Sequence, residues 1–291
     1  MQIETRQPGL RGRADMDQII SPGAKVRIVD IGARRNVDEP IYAPLQANNY
    51  AHVVAIEADE DAHVQNADEA IRAVIGDGGP AELNHCASPY MTSLLRPWQM
   101  VARTFRNLPR WMQVQRTEPV QTTRLADIKQ AREAHMLCLD IQGGEHDALE
   151  SASLDSVMLV QAEVSWVPIY CGQLDASSLM ILLGRSGLVP HKLLKQNCHM
   201  VAPLAPNSGQ FGNCGQLVDG DMVFIRDWRT WGQCTAEQLE AAALALAYCY
   251  ESYDLSTLAL HTLDGRDGGD RAERYCAWLR GHGAPVTLEV A

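Results

Sequence analysis

Four short apolar runs constrain this chain more than any other feature: KVRIVDI from Lys25 to Ile31, HVVAIE from His52 to Glu57, HMLCLDI from His135 to Ile141 and SVMLVQAEV from Ser156 to Val164. Runs this short and nearly uninterrupted fit strands buried on both faces of a parallel sheet. The stretches between them have another rhythm. Glu39 to Asn48 predicts a crossover helix despite Pro40 and Pro44, and helical patterns cover Ala62 to Ile75, Leu125 to Glu133, Ala148 to Ala152 and Ala176 to Ser186. Ala81 to Ala87 reads as a third strand, and Met112 to Thr123 as an extended edge segment, since Pro119 argues against a central position. LVPHKLL after Gly187 and DMVFIR from Asp221 to Arg226 add late extended segments. The alternation predicts an α/β fold: a Rossmann-like, mainly parallel central sheet with helices on both faces.

The strongest helical pattern lies outside that alternation, at residues 235 to 251, where Thr235 and Gln238 are spaced as a capping box. Asp254 to Leu263 and Asp270 to Leu279 read as two further helices, separated by Gly265, Gly268 and Gly269. The expected organisation is an N-terminal arm over 1–24, an α/β domain over 25–234 and a helical C-terminal extension over 235–291. That extension either covers the domain or offers a homodimer surface.

With 25 Lys and Arg against 36 Asp and Glu, the net charge of −11 disfavours nucleic acid and nonspecific binding to anionic membranes. A local basic stretch from Arg96 to Arg116, with Arg103, Arg106 and Arg110, is the candidate exception and also fits a solvated face. No apolar run is long enough for a membrane span. The N-terminal residues show no secretory pattern, and the eight cysteines are too dispersed for a disulfide scaffold or a CxxC zinc site. Reduced packing cysteines in a cytoplasmic protein are the expectation.

The first chemical feature is IVDIGARRN, Ile28 to Asn36. Asp30 and Gly32 fall where a parallel strand emerges at its carboxyl end, and a glycine there permits close backbone approach to an anionic ligand group. Glu57 follows Gly32 by 25 residues, near the offset at which an acid grips ribose hydroxyls. A surface acid at a strand end is the alternative. The chain lacks GxGxxG, which lowers the case for a nicotinamide or flavin dinucleotide.

Residues 28–36 and 54–59, TTRLADI (Thr122 to Ile128), LCLDIQGGEHDALE (Leu137 to Glu150), VQAEVSWVPIYCGQ (Val160 to Gln173) and GDMVFIRD (Gly220 to Asp227) together resemble, in linear order, the FkbM-type methyltransferases. That resemblance implies the class I S-adenosylmethionine fold and methyl transfer to an oxygen nucleophile, a hydroxyl of a glycan or small natural product. Asp30 and Gly32 match the family's first-loop acid and glycine, Glu57 its ribose-binding acid, and Asp140, Gly143 and Glu145 its DxxGxE-like segment. The candidate cofactor-binding set is Asp30, Gly32, Ala33, Arg34, Glu57, Ala58, Cys86, Ala87 and Asp140. The first loop departs from the family, with Arg34 and Asn36 where an Asn and another Gly are usual.

Methyl transfer to an alcohol needs alignment and removal of one proton. Asp140, His146 and Glu163 are the candidate catalytic groups, and Glu145, Trp166 and Tyr170 the candidate acceptor contacts. Glu145 also suits a helix start, and both aromatics suit plain packing. Asp140, Glu145 and Glu163 offer oxygen ligands to a hard cation, but no compact motif fixes such a site and no metal is assigned. The segment Asn197 to Asn213 is a candidate substrate cover, in which Cys198 and His199 mimic half of a nucleophilic pair. A noncatalytic cofactor-binding or interaction domain and an NAD-dependent oxidoreductase stay open as alternatives.

Overall fold

The computed structural model describes residues 16–34, 39–58, 67–205 and 215–288. Asn36, the start of the expected helix at Ala62, most of the N-terminal arm, the end of the 197–213 segment and Cys214 lie outside them. The chain divides into two compact units, one of residues 27–38 and 52–227, the other of residues 1–26, 39–51 and 228–291.

The first unit is built on the sheet that the apolar runs predict. Its strands are β1 (Val26–Ile31), β2 (Ala51–Glu57), β3 (Glu69–Arg72), β7 (Met136–Leu139), β8 (Leu159–Ser165), β9 (Leu188–Leu193), β10 (Asn197–His199) and β11 (Gln216–Arg226). Their order is β10-β11-β8-β7-β1-β2-β3, with β9 also on β11. The pairs β1–β7, β7–β8 and β2–β3 are parallel, while β11 runs antiparallel to β8, β9 and β10. The chain order reverses at β1, between β2 and β7, the switch point beside which open α/β sheets bind ligands. This is a Rossmann-like α/β fold.

Strand alternation divides the side chains of this sheet. Val29, Ile31, Leu137, Leu139, Val160 and Ala162 share one buried cluster with Ala131 of α4 (Lys129–Arg132), Leu149 of α5 (Glu145–Glu150) and Leu183 of α6 (Ala176–Arg185). Each fully buried aliphatic side chain contributes about 1.5–3 kcal/mol. The alternate positions, Asp30, Cys138, Gln161 and Glu163, take the opposite face. A polar row in the sheet is thus compatible with a dry core beneath it.

Several expectations need correction. Within the stretch from Ala62 to Ile75, Glu69–Arg72 is strand β3 and Val74–Ile75 is strand β4, because the β-branched Ile71, Val74 and Ile75 serve the open edge of β2 and a second sheet. Ala81 to Ala87 is not a strand of the parallel sheet. As β5 (Pro80–Cys86) it pairs antiparallel with β6 (Val114–Thr123) in a separate sheet of order β4-β6-β5. The segment holding Pro119 is therefore the middle strand. Proline is tolerated because β4 pairs only with Thr122 and Thr123, leaving β6 one partner at Pro119. The expected helix from Leu125 to Glu133 is broken at Ile128, whose extended backbone separates a 3-10 turn, Leu125–Asp127, from α4.

Between β5 and β6 the chain forms α2 (Gln99–Ala102) and α3 (Leu108–Trp111). Ala102, Phe105, Leu108 and Met112 pack with Ile169, Tyr170 and Val218 as a second buried cluster.

The other unit holds α1 (Ala43–Ala47), α7 (Ala236–Tyr248), α8 (Tyr253–Asp267) and α9 (Arg271–Gly281). Thr235 accepts from the Gln238 amide at 3.1 Å, and the Gln238 side chain accepts from the Thr235 amide at 2.8 Å, completing the capping box. Helix α8 runs through Gly265 and ends at Gly268, which is left-handed, so only the last two of the three expected glycine breaks interrupt the helices. Buried Glu240 of α7 accepts from the amide and hydroxyl of Ser21 at 2.9 and 2.6 Å. Among the described residues, no helix is long and apolar enough to cross a membrane.

Candidate active site

The site lies at the carboxyl ends of β1, β2, β7 and β8. Gly32 turns the chain out of β1 with φ of 81°, and a Cβ there would stand 2.0 Å from the Asp140 carbonyl oxygen. The amides of Gly32 and Ala33 both donate to the Ile56 carbonyl, at 2.9 and 3.2 Å. The glycine is therefore demanded by the close approach of the β1 and β7 ends, and these two amides hold β2. Arg34 donates its amide to the Gly32 carbonyl, and Glu57 is buried at the end of β2 beside this turn. Ala58 follows directly.

Asp140 leaves β7 with its amide on the Ile31 carbonyl at 3.0 Å. The next turn is tight: Gln142 has φ of 57° and Gly143 of 98°. Glu145 fastens it, its two carboxylate oxygens accepting from the amides of Ile141 at 2.9 Å and Gly143 at 3.0 Å. The turn aims Gln142 across the strand ends. Its amide nitrogen donates to Asp140 at 2.8 Å and to Glu163 at 3.0 Å, while its oxygen accepts from the Tyr170 hydroxyl at 3.0 Å. Sequence reasoning passed over Gln142, whose signal was its place between strand end and glycine pair.

More acid gathers beside this pair. Asp221 faces Glu163 across the β11–β8 pairing and Asp219 faces Ser165, so strand alternation sets all four on one side of the sheet. Gly220 between the two aspartates gives room for the Lys195 carbonyl, which a Cβ would meet at 2.1 Å. Lys195 opposes this negative charge, acting on Asp140 and Asp221. The strand reading of DMVFIR begins at Asp221 and gives neither aspartate a role, although acids flanking a glycine, as Asp219 and Asp221 flank Gly220, mark one polar face of a strand.

Burial raises the pKa of Glu163 well above the usual carboxylate range, and the charges of Asp140, Glu145, Asp219 and Asp221 push it the same way. Burial also raises Asp140, against the hydrogen bonds from Gln142 and Glu163 and the charge of Lys195. Asp140 is open to solvent at the mouth of the site and Glu163 is only partly so, which makes water a stronger moderator for Asp140. Glu145 is pushed up to about 7, chiefly by burial. Asp140 and Glu163 thus titrate as a coupled pair, both raised by burial, with Asp140 the better-solvated member.

The other expected residues divide. Tyr170 is buried with its hydroxyl in the site, whereas Trp166 packs against the core of the sheet. His146 gathers with Asp147 and Glu150 on α5. Cys86 is buried at the end of β5, its thiol raised to about 11 by burial, and the Ala87 amide is bonded to the Gln113 carbonyl. His199 lies 3.8 Å from Asp219, while Cys198 is exposed, and alternation along β10 sends adjacent side chains to opposite faces. Carboxylate oxygens of Asp140, Glu145 and Glu163 lie within 4.8 Å of one another and are chemically able to hold a hard cation. In this structure Glu145 is engaged by backbone amides and the other two share the Gln142 amide.

Residues 30–187, more than half of the chain, match the family described as the methyltransferase FkbM domain. The chain belongs to this FkbM methyltransferase family. The matched segment runs from Asp30 of β1 through Gly187 and includes the Asp140–Gln142–Glu163 constellation. No curated protein matches the chain. Among solved structures, the magnesium protoporphyrin IX methyltransferase of Synechocystis PCC 6803, solved with bound SAM, has 10% identity and a TM-score of 0.29, over 69% of this chain and 70% of that one. A candidate methyltransferase from Thermoplasma acidophilum has 9% identity and a TM-score of 0.32, over 71% of this chain and 70% of the other. Overlaps this loose carry no weight for the FkbM domain, whose fold is read from its own strand order.

Proposed function

We propose that this FkbM-family methyltransferase uses S-adenosylmethionine to methylate a hydroxyl of a glycan or small natural product, with Asp140 as the base. The observation that carries the reading is the Asp140–Gln142–Glu163 arrangement at the switch point of the sheet.

The residues present fit this cofactor. Buried Glu57 closes β2 next to the β1 turn, the position from which a carboxylate accepts hydrogen bonds from ribose hydroxyls. The one negative charge carried by the Asp140–Glu163 pair complements a sulfonium. When bound, S-adenosylmethionine supplies a methyl group already activated for transfer. Asp140 would accept the acceptor's hydroxyl proton as the methyl group is transferred to that oxygen. Gln142 holds the Asp140 carboxylate in place through its amide. Glu163 stays protonated beside it, so that the pair carries one negative charge before the transfer and none after it. Tyr170 fixes the Gln142 amide and sets its donor end toward the carboxyls.

Incubation with methyl-labelled S-adenosylmethionine and fractionated glycan and metabolite pools, followed by mass spectrometry of the products, tests the reading. An oxygen-linked methyl group on a hydroxylated acceptor supports it. Label found only on nitrogen or carbon, or no labelled product in any fraction, contradicts it.

A further inference from the structure

The distribution of charge along the chain is uneven in a way the proposed reaction does not use. The 36 acids leave two long gaps, from Leu83 to Thr117 and from Ala176 to Val218, in which no Asp or Glu occurs. The first gap contains the five arginines between Arg96 and Arg116. The fold brings these two acid-free segments together. Phe105 and Val201 form an antiparallel bridge, the Arg106 amide donates to the Met200 carbonyl at 3.1 Å, and the Ala202 amide donates to the Thr104 carbonyl at 2.8 Å. Phe105 and Trp111 both meet the His199 ring edge-on.

On this joined surface Met100 is 69% exposed and Leu204 52%, with Trp111 and Val201 also open to solvent. Arg103, Arg106 and Arg110 of the first segment are exposed as well, and no carboxylate among the described residues pairs with any of the three. Arg96 and Arg116 differ, being paired with Glu82 and Glu118. Exposed apolar side chains and unpaired guanidinium groups on joined acid-free segments give this face, in a chain of net charge −11, a basic and apolar character complementary to an anionic, oily surface.

We propose that the surface formed by residues 98–111 and 199–204 docks on an anionic phospholipid bilayer. The arginines meet headgroup phosphates, and Met100, Val201 and Leu204 enter the layer beneath. The aliphatic tips favour this occupant over a nucleic acid, whose backbone would satisfy the arginines but give those tips no apolar partner. No helix among the described residues crosses the bilayer in this arrangement, and the acceptor's identity does not bear on it.

Co-sedimentation of the full chain with phosphatidylcholine vesicles, with and without phosphatidylserine, is the test. Binding only to the vesicles containing phosphatidylserine is expected. Replacing Arg103, Arg106 and Arg110 together with Ala should weaken the partitioning about a hundredfold. Replacing Met100 and Leu204 with Ser should weaken it about tenfold with the charge intact. Circular dichroism of each variant establishes that these exposed substitutions leave the fold in place. Failure of the parent chain to sediment with phosphatidylserine vesicles overturns the proposal, as does equal sedimentation of parent and arginine variant. Retention on single-stranded RNA without vesicle binding would assign the arginines to a nucleic acid instead. A dimer dissolved by the arginine substitutions, again without vesicle binding, would assign the surface to a second copy.

Discussion

At Gly32 one backbone conformation and one close approach fix the residue. An alanine there would have to adopt φ of 81° with its Cβ on the Asp140 carbonyl, and we expect Gly32→Ala to cost on the order of 3 kcal/mol, read as a lowered denaturant midpoint. The glycine is legible in the sequence, where the spacing from strand to turn points to a ligand; the packing is not legible there, and the structure adds it by pressing together the ends of β1 and β7 with the neighbouring amides engaged by Ile56. Asp140 and Glu163 make the second residue-scale case. Transfer is expected to rise with pH as Asp140 loses its proton and to fall again as Glu163, raised by burial and by neighbouring acids, loses its own. Glu163→Gln keeps a hydrogen-bond donor but cannot ionise. Its pH–rate profile should retain the rising limb and lack the falling one; a falling limb kept unchanged would remove Glu163 from the proton-sharing pair.

Among the elements, those with a strong local signal were readable and those defined by a distant partner were not. The run 235–251 carried its own cap and became α7, so Thr235→Ala should lower stability by about 1 kcal/mol in denaturant unfolding, and Thr235→Ser by much less. Strands β1, β2, β7 and β8 are similarly self-announcing, because burial on both faces makes them nearly continuous apolar runs. Strand β5 was recognised as a strand yet assigned to the wrong sheet, since nothing within Pro80 to Cys86 says that its partner is β6, more than thirty residues later. Strand β3 was read as helix because AIRAVI satisfies either period, and the open edge of β2 decides between them. In the site the same division holds. Asp140 and Glu163 stand at strand ends and were visible, while Asp219, Asp221 and Gln142 acquire meaning only when β11 pairs with β8 and the turn after Asp140 closes.

For the whole molecule, the concentration of acid in one place has a consequence for stability. Glu145 titrates near 7 in the folded chain against the usual 4.5, and Asp140, Glu163 and Asp221 are displaced in the same direction, with burial the leading cause for each. Between the unfolded and folded values the native state holds more protons than the unfolded chain, so stability is greatest below that window and falls as pH rises through it. Glu145 alone corresponds to roughly 3 kcal/mol when fully ionised. The carboxylates held low by hydrogen bonds from arginine, Asp127 and Asp267, lose their contribution only in more acidic solution. The melting temperature should therefore be lower at pH 8 than at pH 5.5; a rise over that interval would show that the cluster is better solvated than the structure indicates. Two of these acids, Asp140 and Glu163, are the pair to which the proposed function gives the proton transfer. The most direct test compares wild-type protein with Asp140→Asn for both S-adenosylmethionine binding by calorimetry and transfer of labelled methyl to an accepted hydroxyl. We predict that binding persists in the variant while transfer falls by about 10²–10⁴-fold. Wild-type protein that does not bind the cofactor, or a variant that transfers at the wild-type rate, would contradict the account.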